Sequence, residues 1–142
     1  MDYKEKNDKK KRYLRKYKKH TQKIARIEAE LEEIRRMKSH PSFSADGMPK
    51  GNVKTDLSEY VSQLDKLERE LQDEGIAQVK TYRDIKGRID QLQNESERDV
   101  IFYRYIKGWE FWEIAKVLGY CERQVHRIHG KGLAHLIISQ EK

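Results

Sequence analysis

The feature that most constrains this chain is a stripe. Tyr13, Tyr17, His20, Ile24, Ile27, Leu31 and Ile34 follow one another in alternating steps of four and three. Such a heptad spacing keeps one narrow apolar seam on one side of an α-helix, facing a partner helix. The spacing predicts a helix from about Lys9 to Lys38. A second stripe, Leu57, Tyr60, Leu64, Leu67 and Leu71, steps in the same way. It predicts a helix starting near Asp56, with Thr55 or Asp56 as N-cap. The seam then slips by a four-four step at Gly75 and continues through Gln78, Tyr82, Ile85, Ile89 and Leu92. A slip of this kind locally unwinds a coiled coil, so the reading is one long helix weakened near Gly75, or two helices with a bend there. Neither seam can be buried alone; each must pack on the other or on a second copy of the chain.

Between the stripes the composition changes. Residues 39–55 hold both prolines, Pro41 and Pro49, together with Asp46-Gly47 and Lys50-Gly51-Asn52. Proline cannot continue a helix interior and these dipeptides form turns. The expected loop is longer than most helix connections, and Phe43 and Met48 could pin it to a neighbouring surface or meet a partner.

The 142 residues contain 39% charged and 36% apolar residues, so any interior is thin. A single cysteine excludes an internal disulfide and a cysteine-based four-ligand zinc site. No apolar run approaches a membrane span or the apolar part of a secretory signal, so the expectation is a soluble, cytoplasmic protein without a membrane partner. The net charge of +7 is concentrated in residues 1–23, which carry +8 against −1 for the remainder. That block, including Lys10, Lys11, Arg12 and Arg15 and interleaved with Tyr3, Tyr13 and Tyr17, suits phosphate contacts. It equally suits a solvated helix start.

From Asn94 onward three short helices are expected. The first holds Val100, Ile101, Tyr103, Tyr105 and Ile106 and ends at Gly108. The second holds Phe111, Ile114, Ala115 and Leu118 and ends at Gly119. The third runs from Cys121 to about Ile138 with Val125, Ile128, Leu133 and Leu136 inward. Small Ala115, a glycine able to turn left-handed at 119, and apolar Ile114, Leu118, Val125 and Ile128 together fit a helix-turn-helix. In that arrangement the third helix enters the DNA major groove. Its outward positions carry Glu122, Arg123, Gln124, His126 and Arg127, the candidate base readers: arginine matches guanine, glutamine adenine, and glutamate the cytosine amino group. Lys131 and His129, with His126 and Arg127, suit phosphates. Trp112 lies off the apolar stripe and would pack on the long helices or on a partner. Cys121, His126 and His129 on one helix lack a second ligand group for a metal. No glycine-rich phosphate loop, paired buried acids or nucleophile motif points to an enzyme or to a cofactor.

The segment 95–136 resembles region 4 of bacterial sigma factors, through Glu97-Arg98, Val100-Ile101, Arg104-Tyr105, Gly108, Glu113-Ile114-Ala115, Leu118-Gly119, Val125 and Lys131-Gly132-Leu133. With the Gly47-Met48-Pro49 loop between heptad helices, residues 13–136 resemble small phage and prophage late-gene regulators of the ArpU and RinA types. The resemblance implies an all-α protein: a coiled-coil-like helical hairpin over 1–93, then a sigma-region-4-like helix-turn-helix domain over 94–142. It further implies a homodimeric transcription regulator that binds double-stranded DNA and engages host RNA polymerase. Nothing resembles the promoter-opening region of sigma factors, which implies an accessory role. Two departures stand out. Cys121 occupies the slot usually held by a Ser or Thr cap, and Gly130 and Gly132 should bend or fray the third helix. A small terminase-type DNA-packaging subunit is the alternative, since it too joins a helix-turn-helix to helical oligomerisation. A pure interaction protein binding polymerase without DNA is the third reading.

Overall fold

The computed structural model describes residues 3–39 and 50–138, and these are helical with no strand. The helices are α1 (Tyr3–Leu14), α2 (Lys16–Ser39), α3 (Lys50–Asp90), α4 (Glu95–Tyr105), α5 (Phe111–Leu118) and α6 (Glu122–His135). Among the described residues no helix is long and apolar enough to cross a membrane. Pro41, Phe43, Met48, Pro49 and the Asp46-Gly47 turn lie outside the described residues.

The first long helix departs from expectation by a one-residue break at Arg15. The Arg15 and Lys19 amides still donate to the Lys11 and Arg15 carbonyls, at 2.9 and 3.2 Å, so the helical register continues. The third helix begins at Lys50 rather than near Asp56, and it runs unbroken through Gly75. Lengthening an existing helix adds one hydrogen bond for each residue fixed, which offsets the weak propensities of Gly51, Asn52 and Gly75.

The chain divides into two compact units: Met1–Lys19 with Gln78–Lys142, and His20–Ala77. The division does not fall at residue 93, since Ile85, Ile89 and Leu92 are buried with the C-terminal residues. In the His20–Ala77 unit, Ile27, Leu31 and Leu67 are buried together, flanked by Ile34, Leu64 and Leu71. His20 and Lys23 meet Glu74, and Arg35 meets Glu68 at 3.3 Å, so α2 and α3 run antiparallel here.

The other unit has two apolar clusters. Leu14, Ile85, Ile89, Leu92, Ile101, Tyr105, Leu133 and Leu136 form the larger, against which Tyr13 and Tyr17 pack. Leu14 lies outside the heptad stripe yet is fully buried. Val100, Ile114, Ala115 and Val125 form the smaller, edged by Phe111, Leu118 and Ile128. The same heptad stripe therefore serves two cores, with Tyr13 and Tyr17 in one and Ile27 and Leu31 in the other.

Candidate nucleic-acid interface

The site is built around α6. Asn94 caps α4 by accepting from the Glu97 amide at 3.1 Å, and Gly108 turns the chain toward α5 with φ +73°. Arg104 braces that turn, donating to the Trp109 carbonyl at 3.0 Å, while Trp109 stacks on Tyr103 at 4.5 Å. α5 opens with the Glu113 carboxylate accepting from the Glu110 amide at 2.9 Å. It closes at Gly119, whose φ of +77° lets its amide reach the Ala115 carbonyl; a side chain resists this left-handed conformation. The turn is tied to α4 by a 2.8 Å hydrogen bond between the Tyr120 and Ser96 hydroxyls. Cys121 starts α6 without a side-chain cap, as its thiol predicts.

One face of α6 is consumed by packing: Val125, His129, Gly132 and Leu133 are buried and Ile128 partly so. The opposite face is open, and Glu122, Arg123, Gln124, His126, Arg127 and Lys131 are all exposed on it. His126 is not free to swing. Its ring lies 4.1 Å from that of Phe111, and its Nε2 is 3.8 Å from the Glu122 carboxylate.

Three expectations meet a different geometry. His129, expected at a phosphate, is 8% exposed and shares a 2.8 Å hydrogen bond with the Tyr105 hydroxyl. Burial, aided by Lys11, Arg104, His126 and Arg15, lowers its pKa from 6.5 to about 4. The same burial raises the Tyr105 hydroxyl to about 12. Lys10 is likewise committed, because its ammonium donates to the Leu133 and Ala134 carbonyls at 2.7 and 3.1 Å. Those carbonyls belong to the last turn of α6, where a cation satisfies acceptors that lack helical partners. Gly130 and Gly132 do not break α6, which continues to His135. A Cβ at Gly132 would stand 2.9 Å from Ile101 Cγ1, so glycine is what lets α6 approach α4.

Of the remaining basic candidates, Arg12 and Arg15 are exposed and Lys11 is half-buried. Spacing places Phe111 with the core of its own helix but does not signal that Arg104, Tyr105 and Phe111 together support α6. Arg104 lies over the Phe111 ring at 4.4 Å, and Phe111 meets both His126 and His129. These are contacts between three helices, and no spacing within one helix signals them. Trp112 is exposed, and among the described residues no group of three potential metal ligands converges. No protein-family model, curated protein or solved structure matched the chain.

Proposed function

We propose that this protein is a sequence-specific duplex DNA-binding transcription regulator in which α5 and α6 form a sigma-region-4-like helix-turn-helix. The observation that carries the reading is the division of α6. Its apolar face is clamped by α4 and α5 while Glu122, Arg123, Gln124, His126 and Arg127 stand exposed on its first turns. Those are the turns that a recognition helix offers to base edges. Gly119 supplies the left-handed turn between the two helices, and Ala115 the small side chain buried beside Val125. In this reading the antiparallel α2 and α3 are a coiled-coil-like hairpin. Leu57 and Val61, exposed on α3, offer apolar surface for a second copy, and a dimer would read half-sites about one helical turn apart. The resemblance to phage late-gene regulators makes host RNA polymerase the second partner.

Fluorescence anisotropy on duplexes selected from a random pool tests the reading. Arg123→Ala should lose discrimination at one base position by about 1–3 kcal/mol while retaining non-specific affinity. No binding at low salt, or equal loss on every sequence, would refute it. Mass in solution provides a second check, because a ring of many copies would favour a packaging subunit over a dimeric regulator.

A further inference from the structure

The basic segment at the N-terminus is held in place beside α6. Lys10 grips the last turn of α6, and one turn further on Leu14 is fully buried among Ile101, Tyr105, Leu133 and Leu136. Tyr13 and Tyr17 pack against the same cluster, and the Tyr13 hydroxyl donates to the Asp84 carboxylate. With positions 10, 13, 14 and 17 turned inward, helical geometry assigns every other side chain of the segment to a flank. Lys4, Lys11, Arg15 and Lys18 share one flank, interrupted by the acidic Asp8, whereas Lys9 and Lys16 lie on the other.

Two residues of the first flank lie within electrostatic reach of α6. Lys11 and Arg15 act electrostatically on His129 together with Arg104 and His126, and Arg15 also acts on Tyr105. So Lys11 of α1 and Arg15 at the break after it crowd the same patch as a cation of α4 and the exposed imidazole of α6. Arg104 is partly answered by Glu110 at 3.7 Å. Lys11 and Arg15 make no ion pair among the described residues. Like charges gathered at a partly desolvated surface repel one another, and a polyanion laid across them relieves that repulsion. Tyr13 and Tyr17, which could otherwise stack on single-stranded bases, pack against the core, while Tyr3 stays exposed near the start of α1; between positions 4 and 18 the flank is thus cationic and suited to backbone rather than bases.

We propose that Lys4, Lys11, Arg15 and Lys18 form a phosphate track that grips the DNA backbone bordering the groove entered by α6. The track rests on the DNA reading of α6 and extends it, since it makes the bound site longer than the base pairs that α6 touches. It spans roughly 20 Å along the helix axis at 1.5 Å per residue. Lys10 and Arg12, basic neighbours in the sequence, are outside it.

The test compares two variants of equal charge, Lys11→Gln/Arg15→Gln and Lys9→Gln/Lys16→Gln, on one selected duplex across a salt series. Each phosphate contact contributes about 0.9 to the slope of log K against log salt concentration. The Lys11/Arg15 variant should lose about 2 from that slope and weaken on all sequences alike, keeping its preference among bases. The Lys9/Lys16 variant should lose far less. Trimming the flanking base pairs should weaken the native protein several-fold and leave the Lys11/Arg15 variant nearly unchanged. Equal slopes for the two variants, or equal sensitivity to trimming, would overturn the track while leaving base reading by α6 intact. Absence of any DNA binding by the native chain would overturn the track and the reading beneath it together.

Discussion

The two compact units are made of the same material and hold together differently. In His20–Ala77, two helices share a single seam of Ile27, Leu31 and Leu67, and much of the remaining contact is ionic. In the unit containing α4, α5 and α6, apolar side chains from several directions meet. Ile101, Ile114, Val125 and Leu133 are almost wholly removed from water, and even a histidine and a glutamate are buried there. In the two-helix seam Ile27 is fully enclosed but Leu67 keeps an open edge, so an error at Leu67 is more readily tolerated. A core closed from several sides offers little room to relax, and it holds α6 fixed against α4 and α5.

The contrast is most directly broken by truncation. Ile101→Ala should destabilise its unit by about 4 kcal/mol, because the fully enclosed site cannot collapse around the cavity. Leu67→Ala should remove about 2 kcal/mol from the two-helix unit, whose side chains can close up. Chemical denaturation followed by amide exchange in each unit separates the two values, and equal losses would remove the distinction.

Acid should also act on the units in different pH windows. His129 has its pKa lowered from 6.5 to about 4 in the folded state, so the unfolded chain binds the proton more readily. Stability of the α4–α6 unit is therefore complete above pH 6.5 and falls as the pH drops toward 4, by roughly 2–3 kcal/mol. Glu74 in the other unit has its pKa lowered from 4.5, chiefly by the hydrogen bond from His20. Its contribution is present above that value and is lost only at lower pH. Thermal melts between pH 7 and 3, with NMR signals from each unit, should show the α4–α6 unit weakening first. His129→Gln should remove the difference.

Smaller effects sharpen the comparison. Gly119→Ala forces a side chain into a left-handed turn and should cost about 1 kcal/mol, measured by denaturation, with no effect on His20–Ala77. Arg35→Gln removes an exposed pair with Glu68 and should change stability by less than about 1 kcal/mol, an effect abolished by salt.

Much of this was legible along the chain, for a definite reason. Helical periodicity, the glycines at 108 and 119 and the alternation of apolar and polar residues on α6 are local properties. They are set by backbone geometry within a few residues, so the sequence alone marks out the helices, apart from the break at Arg15 and the early start of α3, and which side of α6 is polar. Partnership is different. Tyr13 and Ile27 look equivalent in the stripe, and only the folded chain assigns them to separate cores. Lys10 and Lys11 look equivalent in a basic run, yet one closes the end of α6 and the other faces outward beside it. His129 and His126 differ by less than one helical turn, yet the first is buried against Tyr105 and the second is exposed. Gly132 reads as a weakness until Ile101 is seen beside its Cα. The tertiary structure decides these cases because each depends on which atoms lie within a few ångströms, and those neighbours come from parts of the chain that periodicity does not connect.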